Sequence, residues 1–411
     1  MKTIRLLAPA VLMMLALPAG AAEGEHHHHG GHQPASAAPS RCPPDDTRLA
    51  CAAQAAATFL PDGNLVVVWA AGGRVMSARS PDHGASLEAA IALNPAKEAV
   101  DTSGDARPAV AADSKGRVYA AWALRKDSAY NGMLMLARSL DGGRTFQPPR
   151  AVASDPASQR FPAMKVDSRD RLYLAWIDKR EGAAAKKAGR GYRGAALAMA
   201  WSDDGAETFA FEGVAQSNSC ECCRIAFELD KADRPLVMWR HVFEPNIRDH
   251  ALMVFTDRDH PGPIRKVAED NWRVDACPHQ GPALAVAGDG SLHAAWYTGG
   301  TTRKGVFFAS AAGPDAAFSE PRPLGDPATT VSQPQVLSVN GRLWMAWKEF
   351  DGETTTVQAQ SSDDAGRTWS PPRGLARTRD NSDRPILVSD GNRAVLSWVT
   401  GAEGWRLMAV E

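Results

Sequence analysis

The chain contains the segment Arg117-Val-Tyr-Ala-Ala-Trp122, a short apolar run that ends in tryptophan. The same pattern occurs six more times, and the intervals between successive tryptophans are 53, 54, 63, 57, 51 and 51 residues. A turn containing Gly, Asp or Asn precedes each segment. The repeated tryptophans are Trp69, Trp122, Trp176, Trp239, Trp296, Trp347 and Trp398. Short strands at regular spacing predict an all-β fold, and a period of about fifty residues predicts β-propeller blades.

Each repeat supplies further strands around its tryptophan segment. An extended apolar segment precedes several of the turns, as in residues 108–113 and 385–390, and a third strand follows, as in residues 133–138. The last repeat supplies only three strands, so we expect the start of the domain to donate the fourth. Such closure hides sheet edges that would otherwise aggregate. The prediction is a ring of about seven blades that is closed by N- and C-terminal strands.

A second pattern follows the third strand of several repeats. Residues 139–146 and 362–369 resemble the Asp box of sialidases, and weaker copies span residues 202–209, with Ala206 in place of Gly, and 80–87. A short Asp side chain caps N–H groups of a hairpin, and Gly supplies a positive φ. The resemblance implies a sialidase-like β-propeller and a structural role for the box. Sialidases are six-bladed, so six blades are the alternative to seven.

The first residues have the features of a secretory signal peptide. Lys2 and Arg5 precede an apolar run over residues 6–17, and small residues follow at 18–22. The run is short for a bilayer span, and no later segment approaches about 20 apolar residues. We expect an exported protein, periplasmic or secreted, without membrane insertion. The predicted parts are a signal peptide (1–21), a disordered His-rich tail (22–44) and a β-propeller domain (45–411).

The charge balance excludes two classes of partner. The chain has 46 Lys and Arg residues against 47 Asp and Glu residues, which gives a net charge of −1. Nucleic-acid binding leaves a basic footprint, and electrostatic membrane contact needs a basic cluster. We therefore expect no nucleic-acid partner. A protein partner is not indicated by any motif, and the expected ligand is a metal ion, a small molecule or a glycan.

The strongest candidate site is the run Cys220-Glu-Cys222-Cys223-Arg224, which Cys277-Pro-His279 follows one repeat later. On a strand, Cys220 and Cys222 would face one side and Cys223 the other. Thiolate and imidazole suit copper(I) or zinc. We predict a soft-metal site, most plausibly for copper, near Arg240 and Asp249 at a channel mouth; its ligands are Cys220, Cys222, Cys223, Cys277 and His279. Two disulfides between adjacent blades are the alternative.

A second candidate metal site lies near the start of the mature chain. The tract contains four consecutive histidines and a fifth after two glycines, namely His26, His27, His28, His29 and His32. Neutral imidazole is a common ligand for copper, nickel and zinc, and a His-rich tract in a flexible tail favours metal capture. An expression tag is the alternative interpretation.

The Cys run also carries a wider resemblance. Together with residues 239–240, 247–249, 271–273 and 277–283, it is similar to a pattern in bacterial exported proteins of the sialidase-like, BNR-repeat type. This resemblance implies no particular reaction. A sialidase needs three Arg, an Asp acid and a Tyr nucleophile with a Glu partner. The residues that fit this set best are Tyr297, Glu349, Arg240, Arg248 and Arg273, although a Phe-Arg-Ile-Pro motif is missing from the chain.

Polar residues follow several of the tryptophan segments and predict a ligand-binding channel mouth. They are Asp178, Lys179, Arg180, Arg240, His241, Tyr297, Lys348 and Glu349. The alternative is an ordinary solvated rim. Three functions stay open at this point because a propeller fold hosts many. They are soft-metal binding through the Cys cluster and the His tail, exo-α-sialidase-type glycoside hydrolysis, and non-catalytic binding of a protein partner.

Overall fold

The tryptophan segments form the second strands of antiparallel sheets. The structure is a computed structural model that describes residues 42–276 and 278–410. Those residues form seven sheets. The predicted signal peptide, the tail as far as residue 41, the five candidate histidines of that tail and Cys277 lie outside the described residues.

The strands follow chain order within each sheet. The first sheet contains β1 (Gln54–Phe59), β2 (Leu65–Ala71), β3 (Arg74–Ser80) and β4 (Ile91–Ala92). The second contains β5 (Ala109–Ala112), β6 (Val118–Arg125), β7 (Gly132–Ser139) and β8 (Arg150–Ala151). The third contains β9 (Gln159–Val166), β10 (Leu172–Asp178), β11 (Ala195–Ser202) and β12 (Phe211–Ser219). The fourth contains β13 (Ala226–Leu229), β14 (Pro235–Arg240), β15 (His250–Phe255) and β16 (Pro261–Lys266).

The remaining three sheets continue the pattern. The fifth contains β17 (Ala283–Val286), β18 (Leu292–Gly299), β19 (Lys304–Ala311) and β20 (Arg322–Leu324). The sixth contains β21 (Thr330–Val339), β22 (Arg342–Phe350), β23 (Thr355–Ser362) and β24 (Arg373–Thr378). The seventh contains β25 (Ile386–Ser389), β26 (Ala394–Thr400) and β27 (Gly404–Ala409). A 3-10 helix spans Leu49–Cys51, and the helix α1 spans Arg180–Lys187.

The first strand of each sheet lies innermost in the ring. Each of these strands contacts the first strand of the next sheet, and β25 returns to contact β1. The predicted all-β propeller is therefore confirmed, with seven blades rather than six. Among the described residues, neither helix has the length and apolar character that crossing a membrane requires.

The seven tryptophans occupy equivalent positions, as the repeat predicts. Each lies on the second strand of its blade and is at most 1% exposed. Most of the indole N–H groups find an acceptor; for example, Trp176 donates to Asp178 Oδ2 (2.8 Å) and Trp296 donates to Asp270 Oδ2 (2.8 Å). The Nε1 atom of Trp122 is buried without a partner in the described part of the chain. Close packing of these rings between sheets joins neighbouring blades.

This difference between two equivalent tryptophans gives a matched test. Trp176→Phe should lower the free energy of unfolding by about 1–2 kcal/mol more than Trp122→Phe, because only Trp176 loses a buried hydrogen bond to a carboxylate. Both variants lose similar apolar area. Urea unfolding of the two variants beside the unchanged protein measures the difference. Equal losses would show that the hydrogen bond to Asp178 contributes nothing net.

The seventh sheet corrects one expectation. Within the described residues it has three strands, and no N-terminal strand completes it. A disulfide between Cys42 and Cys51 bends this segment back on itself, so it forms the 3-10 helix rather than an extended strand. Leu49 packs in a cluster with Trp405 and Leu407 of β27. The ring closes instead by side-chain packing between the first and last blades.

The four Asp-box segments share one set of contacts. In the first full copy, Asp141 Oδ1 accepts from the N–H of Thr145 (2.9 Å), and Ser139 Oγ accepts from the N–H of Gly143 (2.8 Å). The corresponding contacts recur around Asp82, Asp204 and Asp364. These contacts hold the hairpin between the third and fourth strands. The box is structural in each of the four blades.

Candidate functional site

Three cysteines converge where the chain crosses from the third blade to the fourth. After β12, residues 221 and 222 form a turn before β13 begins, so the run is not the strand that the sequence analysis expects. The turn brings all three sulfurs to one point instead of placing Cys223 on the opposite face. The Sγ–Sγ distances are 3.6 Å (Cys220–Cys222), 3.9 Å (Cys222–Cys223) and 4.0 Å (Cys220–Cys223). The described residues show no disulfide at any of the three cysteines, and each is at most 2% exposed.

The three thiols differ in their acidity. The S–H groups of Cys222 and Cys223 donate to the sulfur of Cys220, which holds the pKa of Cys220 well below its ordinary value. Burial opposes this change, while the positive charges of Arg240 and Arg248 add to it. Arg248 Nη1 lies 3.6 Å from Cys220 Sγ. Hydrogen bonding to Cys220 raises the pKa of Cys223 to about 12. The cluster therefore combines one thiolate with a neutral thiol beside two guanidinium groups.

His279 lies against the turn but outside the sulfur cluster. Its Nδ1 is 2.9 Å from the carbonyl oxygen of Cys222, which fixes the Nδ1–H as the donor. A Cβ on Gly104 would collide with the imidazole, so the close approach of these segments needs glycine there. Among the described residues, the three cysteine sulfurs are the ligand atoms that converge within 4.8 Å at this turn. The structure describes neither Cys277 nor the five tail histidines.

A ring of hydrogen bonds joins the cysteine turn to the propeller axis. Asp105 is 5% exposed and forms an ion pair with Arg224 (3.1 Å), the residue after Cys223. Asp105 Oδ2 also accepts from the N–H of Gly281 (2.8 Å). Gln333 Nε2 donates to the carbonyl of His279 (3.0 Å), and Arg224 donates to Gln333 Oε1 (2.6 Å). The metal-ligand candidates and the axial carboxylate thus belong to one connected unit.

A cavity of about 410 Å³ opens beside this unit. Its charged lining residues are Asp105, Arg107, Lys348, Asp383 and Arg384. Of the residues predicted to rim a channel mouth, Lys348 is the one that lines the cavity. Asp178 is instead buried under the hydrogen bonds from Trp176 and Arg180.

Sequence reasoning missed most of these residues, although a signal was present. An Arg or Gln occurs at or just before the innermost strand of every blade; these residues are Gln54, Arg107, Arg160, Arg224, Gln280, Gln333 and Arg384. In five blades a proline follows within two residues, which favours the extended entry to the strand. A search for a repeated Arg or Gln at the start of the innermost strand, and not only for the repeated tryptophan, would have found these seven residues.

In the described structure, the five candidate glycosidase residues differ in exposure and in the groups that they contact. Arg240 is 1% exposed, and its guanidinium donates to the carbonyls of Arg248 (2.9 Å), Gln280 (2.8 Å) and Tyr297 (3.1 Å). It therefore pins backbone instead of facing a ligand. Arg273 is exposed, while Arg248 lies beside Cys220.

The candidate Tyr and Glu pair is likewise occupied by structural contacts. The Tyr297 ring packs edge-on against Trp272, with ring centroids 5.6 Å apart. Glu349 accepts from Trp347 Nε1 (2.7 Å), from the N–H of Asp326 (3.0 Å) and from Gln358 Nε2 (3.0 Å). In the described part of the chain, no hydrogen bond joins the two side chains.

Comparison with known proteins places the fold. No protein-family profile and no curated protein sequence matches the chain. Among solved structures, a protein of unknown function from Dyadobacter fermentans matches with a TM-score of 0.53 and 16% identity, covering 76% of this chain and 94% of that chain. A Hadza microbial sialidase matches with a TM-score of 0.50 and 14% identity, covering 85% of this chain and 75% of that chain. An ulvan lyase from a new polysaccharide lyase family matches with a TM-score of 0.55 and 9% identity, covering 86% of this chain and 93% of that chain.

These likenesses define the class of fold. The chain is a seven-bladed all-β propeller, and its neighbours include a sialidase, in agreement with the resemblance that the Asp-box segments predict. Identities of 9–16% show the fold alone. The sites described above must therefore carry any argument about function.

Proposed function

We propose that this protein binds one soft metal ion, copper(I), through the sulfurs of Cys220, Cys222 and Cys223. The observation that supports this most directly is the buried triangle of three cysteine sulfurs with edges of 3.6, 3.9 and 4.0 Å. With metal–sulfur bonds of about 2.3 Å, ligands are about 3.8 Å apart in a tetrahedral site and about 4.0 Å apart in a trigonal one. The triangle already has the size of a metal site.

The charges beside the sulfurs favour a monovalent ion. Three thiolates around copper(I) carry a net charge of −2, whereas three thiolates around zinc(II) carry −1. Arg240 and Arg248 supply two positive charges within range of Cys220. Buried charge is stable only when it is paired, so the two guanidinium groups match the copper(I) complex. Zinc is the alternative ion.

The proposal includes two further elements of the chain. Cys277 or His279 would supply a fourth ligand if the ion is four-coordinate, and the five tail histidines would form a separate capture site. Export is part of the proposal as well, because residues 1–21 have signal-peptide features and an exported chain meets copper outside the cytoplasm. Reduction of the thiols is a condition for binding at the triangle.

Metal analysis and X-ray absorption spectroscopy test the proposal. Protein purified anaerobically without a tag and loaded with copper(I) should hold copper bonded to three sulfurs at about 2.3 Å. Sulfur pairs at about 2.05 Å would mean disulfides and would rule the proposal out. Copper surrounded only by nitrogen would assign the metal to the histidine tail and equally exclude the triangle.

A second proposal concerns the cavity at the propeller axis, where we infer a glycan ligand. The supporting observation is the polar, cationic lining formed by Arg107, Lys348 and Arg384. A sialidase and an ulvan lyase are among the fold neighbours, and both names refer to glycans. The proposal concerns binding, since no hydrogen bond joins the side chains of Tyr297 and Glu349 in the described part of the chain.

A further inference from the structure

The axial cavity holds more positive than negative charge. Three of its charged groups are paired: Arg107 Nη2 lies 2.7 Å from Asp383 Oδ2, and Asp105 is paired with Arg224 at 3.1 Å. Each pair is neutral as a unit. The remaining charged side chains in the lining of the cavity are those of Lys348 and Arg384.

Neither of these cations has a carboxylate partner in residues 42–276 and 278–410. Lys348 Nζ donates to the carbonyl oxygens of Ser382 and Asp383, each at 3.3 Å, and forms no ion pair. The guanidinium of Arg384 forms neither a hydrogen bond nor an ion pair with the described residues, although its charge is close enough to interact with those of Arg107, Arg224, Asp105 and Asp383. With Arg224 counted beside the charged lining residues, four cations stand against the two carboxylates of Asp105 and Asp383, so two positive charges are in excess.

Unused hydrogen-bond donors accompany this charge. Arg107 is 6% exposed, and its Nε and Nη1 atoms are buried without a partner among the described residues. Arg224 Nε is buried in the same way. Buried donors are nearly always satisfied, and a buried charge without a partner is costly. An occupant that accepts several hydrogen bonds and carries negative charge would remove both costs.

We infer that the axial cavity binds a doubly charged oxyanion group, a phosphate monoester, between Arg384, Lys348 and the spare donors of Arg107. Such a group carries two negative charges and several acceptor oxygens, which match two unpaired cations and the spare guanidinium donors. A single carboxylate would leave one positive charge unpaired. The inference specifies the ligand of the second proposal, and it rests on that proposal only in assuming that the cavity holds a ligand.

The ionisation of Lys348 supplies a second signature. Burial lowers the pKa of Lys348 to about 8, the nearby charge of Asp383 opposes this change, and that of Arg107 adds to it. Lys348 is therefore charged below that pH and loses its proton above it. The affinity for a doubly charged anion should be full at neutral pH and should fall as the pH rises past about 8.

Calorimetric titration with three probes tests the inference. Sodium sulfate and methyl phosphate should bind to the full chain at neutral pH, and sodium acetate should bind more weakly by about tenfold or more. Inorganic sulfate tests the double charge alone, and methyl phosphate tests the monoester. Equal binding of all three anions would overturn the double charge but keep a ligand in the cavity. No binding of any of the three anions would overturn the inference, and no binding of a sugar phosphate or of a neutral oligosaccharide would overturn the glycan proposal as well.

Variants locate the binding. Arg384→Gln should weaken sulfate or phosphate binding by roughly ten- to a hundredfold, because it removes a charge-assisted contact. The matched control is Arg169→Gln, an exposed arginine far from the cavity lining, and it should leave the affinity unchanged. Lys348→Met is the second variant if Arg384→Gln does not fold, and it should abolish the fall in affinity above about pH 8. Unchanged affinity in a folded Arg384→Gln or Lys348→Met protein would refute the site.

Discussion

A Cys220→Ser/Cys222→Ser variant is expected to bind copper(I) about a thousandfold more weakly than the unchanged protein. Two of three thiolates are lost, and a serine hydroxyl is a hard, neutral ligand that copper(I) does not favour. Because the thiols are at most 2% exposed, no other soft group from solvent can replace them. Competition with a copper(I) chelator under anaerobic, reducing conditions measures the affinity.

The five tail histidines should be changed to alanine in both proteins, so that the titration reports only the cysteine turn. Glu221→Gln is the matched control, since Glu221 lies inside the same turn, is partly exposed and pairs with Lys179 (2.9 Å). Its affinity should equal that of the unchanged chain. If the double cysteine variant keeps its affinity for copper(I), the sulfur triangle is not the site. A separate Cys277→Ser arm measures whether a fourth sulfur contributes.

Asp105→Ala is expected to lower the free energy of unfolding by about 3–5 kcal/mol. The substitution leaves Arg224 buried without its counter-charge and takes the acceptor from the N–H of Gly281. Burial opposes ionisation of Asp105, but the charges of Arg224 and Arg384 hold its pKa below the ordinary value. Its stabilising contribution is therefore present at neutral pH and is lost as the pH falls through that lowered pKa.

Urea unfolding of Asp105→Ala and of Asp363→Ala makes the comparison. Asp363 pairs with Arg342 at the surface, where the two side chains are 70% and 44% exposed, so its loss should cost less than about 1 kcal/mol. A similar loss in the two variants would contradict the assignment of Asp105 as the buried link between the cysteine turn and the axis. The decrease in the free energy of unfolding at acid pH should also become smaller in Asp105→Ala, and it should do so more than in Asp363→Ala.

The periodic features of the fold could be read from the sequence. Trp69 and its six equivalents give the blade count, because a large apolar side chain at a fixed strand position must be buried in the same way each time. The described residues place no N-terminal strand in the seventh blade, although the repeat predicted one. Nothing in the order of residues shows that a bond between Cys42 and Cys51 bends that segment.

The candidate site depends on contacts between residues that are distant in sequence, and these were not predictable. Asp105 meets Arg224 across 119 positions, and Arg107 meets Asp383 across 276. The Cys220–Cys223 run was recognised from its residue types, but period-two reasoning placed Cys223 on the wrong side. The chain must turn where it passes from one blade to the next, and side chains in a turn do not point to alternate faces as they do in a strand.

The segment before β1 links the first blade to the axial cavity. The carbonyl of Thr47 accepts from Trp69 Nε1 (2.8 Å), and Ala52 and Ala53 form part of the cavity wall. A change in the packing of Trp69 would therefore be transmitted to one wall of the cavity, so a repeat residue that stabilises the first blade also shapes the space open to a ligand.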